Sequence, residues 1–574
     1  MADHRRIARA CIVSLALLSG CNGGPGPPGP PDSSWDWENP LPQPHFLFGL
    51  WGSAPGDVYA VGDAGTILHY DGARWSGVDS PTRHRLAHLH GADGVVFAVG
   101  DAGTILSLNQ NSWAPVPSPT NEDLWSVFVR DASRAFACGE NGTILLYDGS
   151  AWSSMHSGTS AILRGIWASP AGDAFAVGTD GVILQYDGTA WMPMASGTAR
   201  ALRAIWGSGP GDVYAVGDAG TILHYDGASW QRVPAAATDK LQSVWGLGAS
   251  EVYAAGNRRT VVRFDGAQWT VIDGGTNDEL WEVWGDGRSV VTVGGAGLIR
   301  RYDGAGWSAE NRGPVPVISA IWGAGDEPAL AVGSRGTVLA RTGGAWVESA
   351  SGVVDQLLDV HGSDPSHAIA VGVNGVILRF DGSTWVRMPS GTGVQLSGVR
   401  VRSRDDGVAV GDGGTVLRYD GQDWRAEDAG TGEALLAVCE DGADGAIAVG
   451  NRGTLLEFDG RQWRTAPALS GAFLTDVWAG AGLAVAVGDG GTVLERRGGT
   501  WRRAETATGA ILLAVWGRSR DDVYACGRDG VVIHRDARGW KPLPSPTILT
   551  LEGMFGSPAG VWFAGNYGAV LRLQ

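Results

Sequence analysis

Short apolar runs alternate with Gly, Asp and Pro along most of the chain, and the same order of runs recurs. One copy contains LRAIWG, DVYAVG, TILHYDG and SWQRVP, each rich in β-branched or aromatic residues and bounded by turn residues, which predicts four strands. Fourteen copies follow one another at a spacing of 38 or 39 residues, which is typical of an all-β propeller with one four-stranded blade per copy. The aromatic position of the first run is occupied by Trp51, His90, Phe128, Trp167, Trp206, Trp245, Trp284, Trp322, His361, Arg400, Cys439, Trp478, Trp516 and Phe555.

The third run of each copy indicates which side of its strand is buried. Seven residues before the Trp of the fourth run stands an apolar residue, such as Leu68 or Leu223, and the next residue is mostly polar, such as His69. This alternation predicts that the leucines pack between blades and that the polar residues point away from the core. Arg300 is the exception on the apolar side.

The fourth run carries a Trp in thirteen copies, but the fourteenth copy ends at Gln574 before that Trp. The missing run is at the other end of the chain, where Trp35 in SWDW precedes Trp51 at nearly the usual interval. We therefore predict that residues 33–45 supply the strand that completes the last blade, which removes two open sheet edges.

Fourteen blades exceed the four to eight of an ordinary ring, so we expect two tandem seven-bladed rings. The segment RGPVPV after the seventh copy, with Pro314 and Pro316, differs from its neighbours and places the boundary there. The expected domains are residues 46–315 for the first propeller and 316–574 for the second. The regular spacing across this boundary leaves a single large ring or another partition as alternatives.

The charge balance argues against a nucleic-acid partner. The formal net charge is −17 and the chain contains two lysines, Lys240 and Lys541, so no basic surface is expected that could displace counterions from a phosphate backbone.

The N-terminus predicts export. Three arginines precede a short apolar run that ends in Leu18-Ser19-Gly20-Cys21, and this run is too short to cross a bilayer. The segment resembles a bacterial lipoprotein signal, with residues 1–20 removed and Cys21 carrying the lipid. The resemblance implies, from Asn22, an outer membrane where the cell has one. Residues 21–32 then form the lipidated Cys and a Pro/Gly tether. An ordinary cleaved secretory signal is the alternative.

Three cysteines remain in the repeats, Cys138, Cys439 and Cys526, all at positions that are apolar in other copies. We expect them to be buried without forming a disulfide or a metal site.

Once the strands are placed, the repeat resembles that of the photosystem II assembly-factor-type propellers, which also occur in bacteria outside photosynthesis. The matching elements are Ser157-Gly158-Thr159, Gly178-Thr179-Asp180-Gly181, Asp187-Gly188 and Trp191, and the resemblance covers nearly all of residues 35–574. It implies a binding scaffold without chemistry of its own, although repeats report a fold and not a ligand. The Asp-box of sialidase-type propellers is a less exact match, because D-G-x-x-W is one residue shorter.

Two repeated residue types have both a functional and a structural interpretation. The fourth-run Trp residues could stack on sugars, but packing between blades is the simpler interpretation. The turn Asp residues could bind cations, but Asp-Gly in a hairpin is explained by backbone geometry alone. These aspartates are Asp71, Asp148, Asp187, Asp226, Asp265, Asp303, Asp381, Asp420 and Asp459.

Two local clusters are also notable. His84, His88 and His90 lie near one another, but no Cys or carboxylate is at ligand spacing, so we predict no metal site. Arg400, Arg402 and Arg404 are candidates for contact with an anion or an acidic partner, against the alternative of a solvated strand edge.

The sequence lacks a nucleophile elbow, a phosphate loop and an H-E-x-x-H motif, so we expect neither catalytic residues nor a cofactor. The favoured function is a lipid-anchored envelope scaffold that binds a protein. A multivalent glycan-binding protein is the alternative, because near-identical weak sites gain avidity together. A glycan hydrolase is a third hypothesis.

Overall fold

The computed structural model of the protein describes residues 35–39 and 45–574, apart from residues 111, 235, 236, 259, 275, 277, 311–316, 328, 468 and 470. Residues 35–574 form one compact unit. They contain fourteen antiparallel sheets of four strands each, which confirms the predicted all-β propeller blades. The predicted signal peptide, Cys21 and the tether lie outside the described residues.

The blades are numbered 1 to 14 in the order of their innermost strands. Those innermost strands span Leu47–Ala54, Leu86–Ala92, Leu124–Asp131, Leu163–Ala168, Leu202–Gly209, Leu241–Gly248, Leu280–Gly285, Ile318–Trp322, Leu357–Asp364, Leu396–Ser403, Leu435–Asp441, Leu474–Gly480, Leu512–Ser519 and Leu551–Ser557. The second strands span Asp57–Gly62, Val95–Gly100, Arg134–Gly139, Ala174–Gly178, Asp212–Gly217, Glu251–Gly256, Val290–Gly294, Leu330–Gly333, His367–Gly372, Asp406–Gly411, Gly445–Gly450, Leu483–Gly488, Asp522–Gly527 and Gly560–Gly565.

The outer two strands complete each blade. The third strands span Ile67–Tyr70, Ile105–Asn109, Ile144–Tyr147, Ile183–Tyr186, Thr221–Tyr225, Thr260–Phe264, Ile299–Tyr302, Val338–Thr342, Ile377–Phe380, Thr415–Tyr419, Leu455–Phe458, Thr492–Arg497, Val532–Asp536 and Val570–Leu573. The fourth strands of blades 1 to 13 span Trp75–Val78, Ser112–Pro115, Trp152–Met155, Trp191–Met194, Trp230–Arg232, Trp269–Asp273, Trp307–Ala309, Ala345–Ser349, Trp385–Met388, Trp424–Glu427, Trp463–Thr465, Thr500–Arg503 and Gly539–Leu543, and that of blade 14 is Trp35–Asn39.

A single 3₁₀ turn joins the second and third strands in thirteen blades, and the corresponding connection of blade 6 includes residue 259, outside the described part of the chain. In blade 5, Ala219 has φ 52° and Gly220 has φ 62°, both in the left-handed region. A Cβ atom at Gly220 would collide with the Ala237 carbonyl, so this position requires glycine. The turns span Asp63–Gly65, Asp101–Gly103, Glu140–Gly142, Thr179–Gly181, Asp218–Gly220, Gly295–Gly297, Ser334–Gly336, Val373–Gly375, Asp412–Gly414, Asn451–Gly453, Asp489–Gly491, Arg528–Gly530 and Asn566–Gly568.

The blades close into two rings of seven. Each innermost strand lies against that of the next blade, and this series returns from Leu280–Gly285 to Leu47–Ala54 and from Leu551–Ser557 to Ile318–Trp322. Blades 1–7 are called ring 1 and blades 8–14 ring 2. The boundary at 315/316 falls within residues 311–316, outside the described part of the chain. The assignment of 46–315 and 316–574 as separate domains remains our proposal.

The N-terminal strand closes ring 2 as the sequence predicts. Trp35 pairs with Leu573 and Trp37 with Leu571 in an antiparallel ladder, so blade 14 is built from both ends of the chain. The Trp35 ring packs on Phe563 at 5.2 Å between ring centroids.

Both ring closures share an ion-paired glutamate that binds an indole of the adjoining blade. In ring 1, the Trp75 indole N–H donates to Glu310 Oε2 at 2.8 Å, and Arg301 pairs with the same carboxylate. In ring 2, Glu38 of blade 14 accepts the indole N–H of Trp346 in blade 8 at 3.4 Å and pairs with Arg341 at 3.1 Å. Glu38 also accepts the Trp562 indole N–H within its own blade at 3.0 Å. The arrangement recurs between blades 10 and 13, whereas eight other fourth-strand indoles have no partner among the described residues.

The core lies between adjacent blades. Leu68 and Leu223 are each 1 % exposed, which confirms that the apolar residue of the third strand is an inter-blade residue. Twelve of the thirteen fourth-strand Trp residues of blades 1–13 are buried in the same inter-blade cores, and Trp307 is partly buried. Stacking of sugars on these rings is therefore blocked by neighbouring blades.

The Trp-Gly pair of the innermost strand also packs between blades. The Trp ring of one blade lies over the Gly that follows the equivalent Trp position in the next blade. A Cβ atom at Gly246 would lie 2.6 Å from Trp206 Cη2. Eight pairs follow this rule: Trp51/Gly91, Trp167/Gly207, Trp206/Gly246, Trp245/Gly285, Trp284/Gly52, Trp322/Gly362, Trp478/Gly517 and Trp516/Gly556.

Where His replaces this Trp, the residue that replaces the covered Gly in the next blade is Val. His90 Nδ1 accepts the Val129 backbone N–H at 3.1 Å, and His361 Nδ1 accepts that of Val401 at 3.1 Å. The imidazole therefore accepts a hydrogen bond from a backbone N–H group on the open edge of the innermost strand. Without the imidazole, this N–H group would face the ring channel with no acceptor.

The two rings contact each other around His45. This side chain is 3 % exposed, and its ring nitrogens lie 2.7 Å from Thr66 Oγ1 in ring 1 and 2.9 Å from Thr547 Oγ1 in ring 2. Phe46 packs edge-on against Tyr567 at 5.3 Å. Burial lowers the pKa of His45 to about 4.

We expect His45 to make stability dependent on pH. Its pKa is lower in the folded state than the ordinary value of 6.5, so the unfolded chain binds more protons between these values. The contribution is complete above about pH 6.5 and is lost as the pH falls towards 4, by on the order of 2–3 kcal/mol. Unfolding of wild type and His45→Gln at pH 7.5 and 4.5 should show the wild-type advantage shrinking in acid. The exposed His156→Gln is the control, and a constant difference for His45→Gln would contradict the prediction.

Candidate functional site

Ring 1 surrounds a central cavity of about 680 Å³. Its wall consists of alternate residues of the seven innermost strands, because successive side chains of a strand point to opposite sides. At the end where these strands begin, on the face that carries the 3₁₀ turns, the rim combines aromatic rings with guanidinium groups. This rim is called the ring 1 mouth and comprises Phe48, Arg85, Trp125, Arg164, Arg203 and Trp281.

Trp125 is the centre of the ring 1 mouth. The guanidinium carbon of Arg85 lies 4.3 Å from one of its ring centroids and that of Arg164 lies 4.4 Å away, so two cations contact this indole. The indole N–H donates to Glu140 Oε1 at 2.8 Å. Arg85 also lies 5.6 Å from the ring centroid of Phe48, and Phe48 packs edge to face with Trp281 at 5.2 Å. These contacts fix the rings before any ligand binds.

Two of the three arginines have a carboxylate partner from the 3₁₀ turn of their own blade. Arg85 Nε lies 3.0 Å from Asp101 Oδ1, and Arg203 Nε lies 2.6 Å from Asp218 Oδ1. In blade 4 the corresponding turn begins with Thr179, and Arg164 has no ion pair among the described residues. Burial and the nearby charge of Arg203 lower the pKa of Arg164.

Asp63 lies beside this cluster in the turn of blade 1. Burial raises its pKa to about 6, Arg85 opposes that effect and Asp101 adds to it. A carboxyl group in this state exchanges a proton close to neutral pH.

A second polar group lies deeper in the ring 1 channel. Glu282 Oε1 accepts a hydrogen bond from the Ser243 hydroxyl, and Glu282 Oε2 lies 3.7 Å from His88 Nε2. Burial raises the pKa of Glu282 to about 8 and lowers that of His88 to about 4. Their side chains keep 15 % and 23 % of their surface exposed to the channel, and this hydration limits both effects.

The side chains of this layer also pair the strand edges. The Val127 backbone N–H donates to His88 Nδ1 at 3.4 Å, and the Val283 N–H donates to Ser243 Oγ at 3.2 Å. Since each acceptor belongs to the preceding blade, the polar residues of the channel join consecutive blades.

The channel of ring 2 is smaller, about 370 Å³, and has different chemistry. Arg400 Nη1 lies 3.1 Å from Asp359 Oδ2. Burial raises the pKa of Asp476 to about 6, although Arg400 opposes that effect. Asp476 Oδ2 accepts the Val515 backbone N–H at 2.8 Å. The cationic side chain of Arg400 is thus held inside the channel by acidic neighbours.

The structure disperses the three predicted arginines. Arg400 lies in the ring 2 channel, Arg402 pairs with Asp406 at 3.3 Å, and Arg404 lies beyond the strand, where it pairs with Asp364 at 3.0 Å. Each charge has a carboxylate partner within the chain. Their contact with an external anion or partner stays a prediction.

The histidine cluster does not converge. His88 and His90 face the ring 1 channel, where their Nδ1 atoms accept backbone N–H groups, whereas His84 Nδ1 bonds Thr104 Oγ1 at 2.8 Å. Within the described part of the chain, no group of three or more His, Cys, Asp or Glu side chains is placed to hold a metal ion.

The remaining candidates have structural roles in the described residues. Cys138, Cys439 and Cys526 are buried thiols, and burial raises the pKa of Cys439 to about 12. Asp71 Oδ1 accepts the backbone N–H groups of Ala73 and Arg74 at 2.9 Å each, which lowers its pKa. The turn aspartates therefore hold hairpins by hydrogen bonds to the backbone.

Sequence reasoning missed the ring 1 mouth. Its signal was the residue after the first Leu of each copy, which is Phe48, Trp125, Arg164, Arg203 or Trp281 in five blades of ring 1. The same position in ring 2 carries Ser, Thr, Leu or Glu. Comparing this single position between copies separates the two rings chemically.

The fold and the ring 1 mouth define a double seven-bladed β-propeller in which aromatic and cationic side chains surround the channel of ring 1. Among solved structures of similar fold is the GH74 xyloglucanase from Xanthomonas campestris, at 14 % identity and a TM-score of 0.64, with 94 % of this chain and 100 % of that chain covered. Another is PorZ, an essential bacterial surface component of the type-IX secretion system of Porphyromonas gingivalis, at 11 % identity, a TM-score of 0.67 and coverages of 94 % and 87 %.

These likenesses establish the fold alone. YCF48 from Cyanidioschyzon merolae aligns with 47 % of this chain and 98 % of its own at 17 % identity and a TM-score of 0.40, which has no bearing on function. No family model and no curated protein matches the sequence. None of the described helices has the length and apolar character that a membrane span requires.

Proposed function

We propose that this protein is a non-catalytic scaffold of the bacterial cell envelope that binds a partner protein through the ring 1 mouth. The observation that carries the proposal is the Arg85–Trp125–Arg164 stack beside the Phe48–Trp281 pair. Aromatic and arginine side chains dominate the energetics of protein interfaces, particularly where their conformations are fixed in advance.

We propose that the protein is exported and anchored by a lipid in the cell envelope. The apolar run that ends at Cys21 supports export and lipidation, and residues 22–31 supply a tether. PorZ, which shares the double-propeller fold, is a bacterial surface component of a secretion system. A partner within an envelope complex is therefore the first to seek.

The test is affinity purification of tagged, lipidated protein from gently solubilised envelope. We expect wild type to retain a discrete, near-stoichiometric protein and Trp281→Ala to lose it, because truncation of a buried aromatic anchor costs more than about 2 kcal/mol of binding free energy. Phe473→Ala, at a 47 % exposed position in ring 2, is the matched control. Equal retention by all three proteins would place the binding surface elsewhere, and circular dichroism checks folding.

Glycan binding remains the alternative outcome of the same purification. Recovery of polysaccharide without a protein would favour it. The aromatic rings available to sugars are then those of the ring 1 mouth other than Trp125, against which Arg85 and Arg164 lie, since the fourth-strand Trp residues are covered by adjacent blades.

Glycan hydrolysis is a second candidate, favoured by one observation. Burial raises the pKa of Asp63 to about 6, and Asp63 lies beside Asp101, which forms an ion pair with Arg85. Two neighbouring carboxyl groups are the pair that glycoside hydrolysis uses. Release of reducing ends from xyloglucan by wild type but not by Asp63→Asn would make this candidate the leading one.

A further inference from the structure

We infer that Arg164 is the anchor for a single carboxylate that enters the ring 1 channel at its mouth. The inference rests on the proposed binding surface and specifies the ligand chemistry. Arg203 and Arg164 occupy the same place in blades 5 and 4, but only Arg203 has an acidic turn residue to pair with.

The Thr179 side chain does not replace the missing carboxylate. Its Oγ1 accepts the Ile162 backbone N–H at 3.2 Å, so it serves the turn. Glu140, whose charge also acts on Arg164, accepts the Trp125 indole N–H and makes no ion pair with Arg164 among the described residues. The guanidinium is consequently half-buried and stacked, and it makes no ion pair among the described residues, although the charges of Glu140 and Asp218 act on it from a distance.

A half-buried charge is stabilised strongly by a partner of opposite sign, and guanidinium has the planar fork that a carboxylate fits with two parallel hydrogen bonds. One guanidinium that forms no ion pair within the described part of the chain is matched by one negative charge, which favours a carboxylate over a doubly charged phosphate group. Sugar stacking on Trp125 is disfavoured because Arg85 and Arg164 both lie against its ring.

The cavity beneath the mouth sets the size of the rest of the ligand. A volume of about 680 Å³ accommodates a group of small-molecule size, and its wall includes Trp51, Trp167 and Trp206. An apolar or aromatic group that bears a terminal carboxylate fits both features. Its source is either a free organic acid or the C-terminal carboxylate of a partner chain.

The experiment uses the full chain and three probes followed by isothermal calorimetry and Trp fluorescence. The probes are hippurate, acetyl-Gly-Gly-Phe with a free C-terminus, and the same peptide as its C-terminal amide. We expect an acid to bind at least about tenfold more tightly than the amide, because a charge-assisted hydrogen bond is lost in the amide. Hippurate binding indicates a free acid, and binding of the peptide acid alone indicates a chain end.

Two variants test the role of Arg164. Arg164→Gln removes the cation, and Thr179→Asp supplies the internal partner that blade 5 has. Both should weaken acid binding by about tenfold or more, and Thr179→Asp should also raise the melting temperature. Arg452→Gln, an exposed arginine paired with Glu433 in ring 2, is the control for charge.

Equal binding of acid and amide, tighter binding of inorganic phosphate than of any acid, or unchanged binding by Thr179→Asp would overturn the inference. Thr179→Asp keeps the test decisive if Arg164→Gln does not fold. Retention of the envelope partner by Thr179→Asp but not by Trp281→Ala would overturn a partner chain end as the source of the carboxylate while supporting the proposed function.

Discussion

Deletion of residues 33–44 is expected to lower the melting temperature of ring 2 sharply and to leave ring 1 folded. The deletion removes the fourth strand of blade 14, its ladder with Val570–Leu573 and two tryptophans that pack on that blade. Removal of one large buried aromatic typically costs about 3–5 kcal/mol, and the newly open edges add to the loss. Since a domain is stable by only about 5–15 kcal/mol, ring 2 should unfold at a much lower temperature.

Calorimetry should resolve this as a low-temperature transition separated from that of ring 1. Deletion of residues 23–31, which spares the strand, is the control. Glu38→Gln is a milder perturbation of the same closure. The native Glu38 carboxylate pairs with Arg341 and accepts the Trp562 indole N–H, and the substitution removes its charge. We expect it to cost about 1–3 kcal/mol. An unchanged melting temperature on deletion of 33–44 would disprove the closure.

Gly246→Val is expected to destabilise ring 1 by about 1–3 kcal/mol or more, the range for overpacking. The added Cβ would lie 2.6 Å from the partly buried Trp206 ring and 2.9 Å from the backbone carbonyl oxygen of Glu251 on the paired strand. Urea unfolding provides the measurement. Gly209→Val, at a glycine with open space around its Cβ position, is the matched control.

The native His–Val pairs provide a sharper test through a double-mutant cycle. Trp206→His with Gly246→Val recreates the arrangement of His90 with Val129, in which imidazole accepts the valine N–H. The double variant should be more stable than the sum of the single effects predicts, with a coupling of about 0.5–3 kcal/mol. Additive effects would show that the two positions do not act as a pair.

The pairing rule explains why some features were readable from the sequence and others were not. Local alternation of apolar and polar residues predicts the strands and the buried third-strand leucines. The repeat spacing predicts the closing strand, because it shows which run is missing from the last copy. The Trp–Gly and His–Val pairs join residues one repeat apart, so they require knowledge that innermost strands of successive blades lie side by side. Their signal was present in the printed sequence as a coupled substitution between neighbouring copies.

The candidate site was harder to predict from the sequence. Arg400, Arg402 and Arg404 drew attention because they are close in the sequence, yet the fold gives each its own carboxylate. Arg85, Trp125 and Arg164 are about 40 residues apart and gain their meaning from the circular arrangement that brings them together. Charge density along the chain therefore identified arginines that are internally compensated.

The sequence by itself determined the blade, the number of blades and the strand exchange between the two chain ends, because these depend on periodic apolar residues and on turn chemistry. The tertiary structure alone decided where the series of blades closes, which side chains share a channel and which charges lack a partner. Those properties depend on distances between residues remote in the chain, which ring closure fixes. Arg164 shows the difference, since its lack of an ion pair among the described residues becomes apparent only once the fold places it beside Trp125 and Arg203.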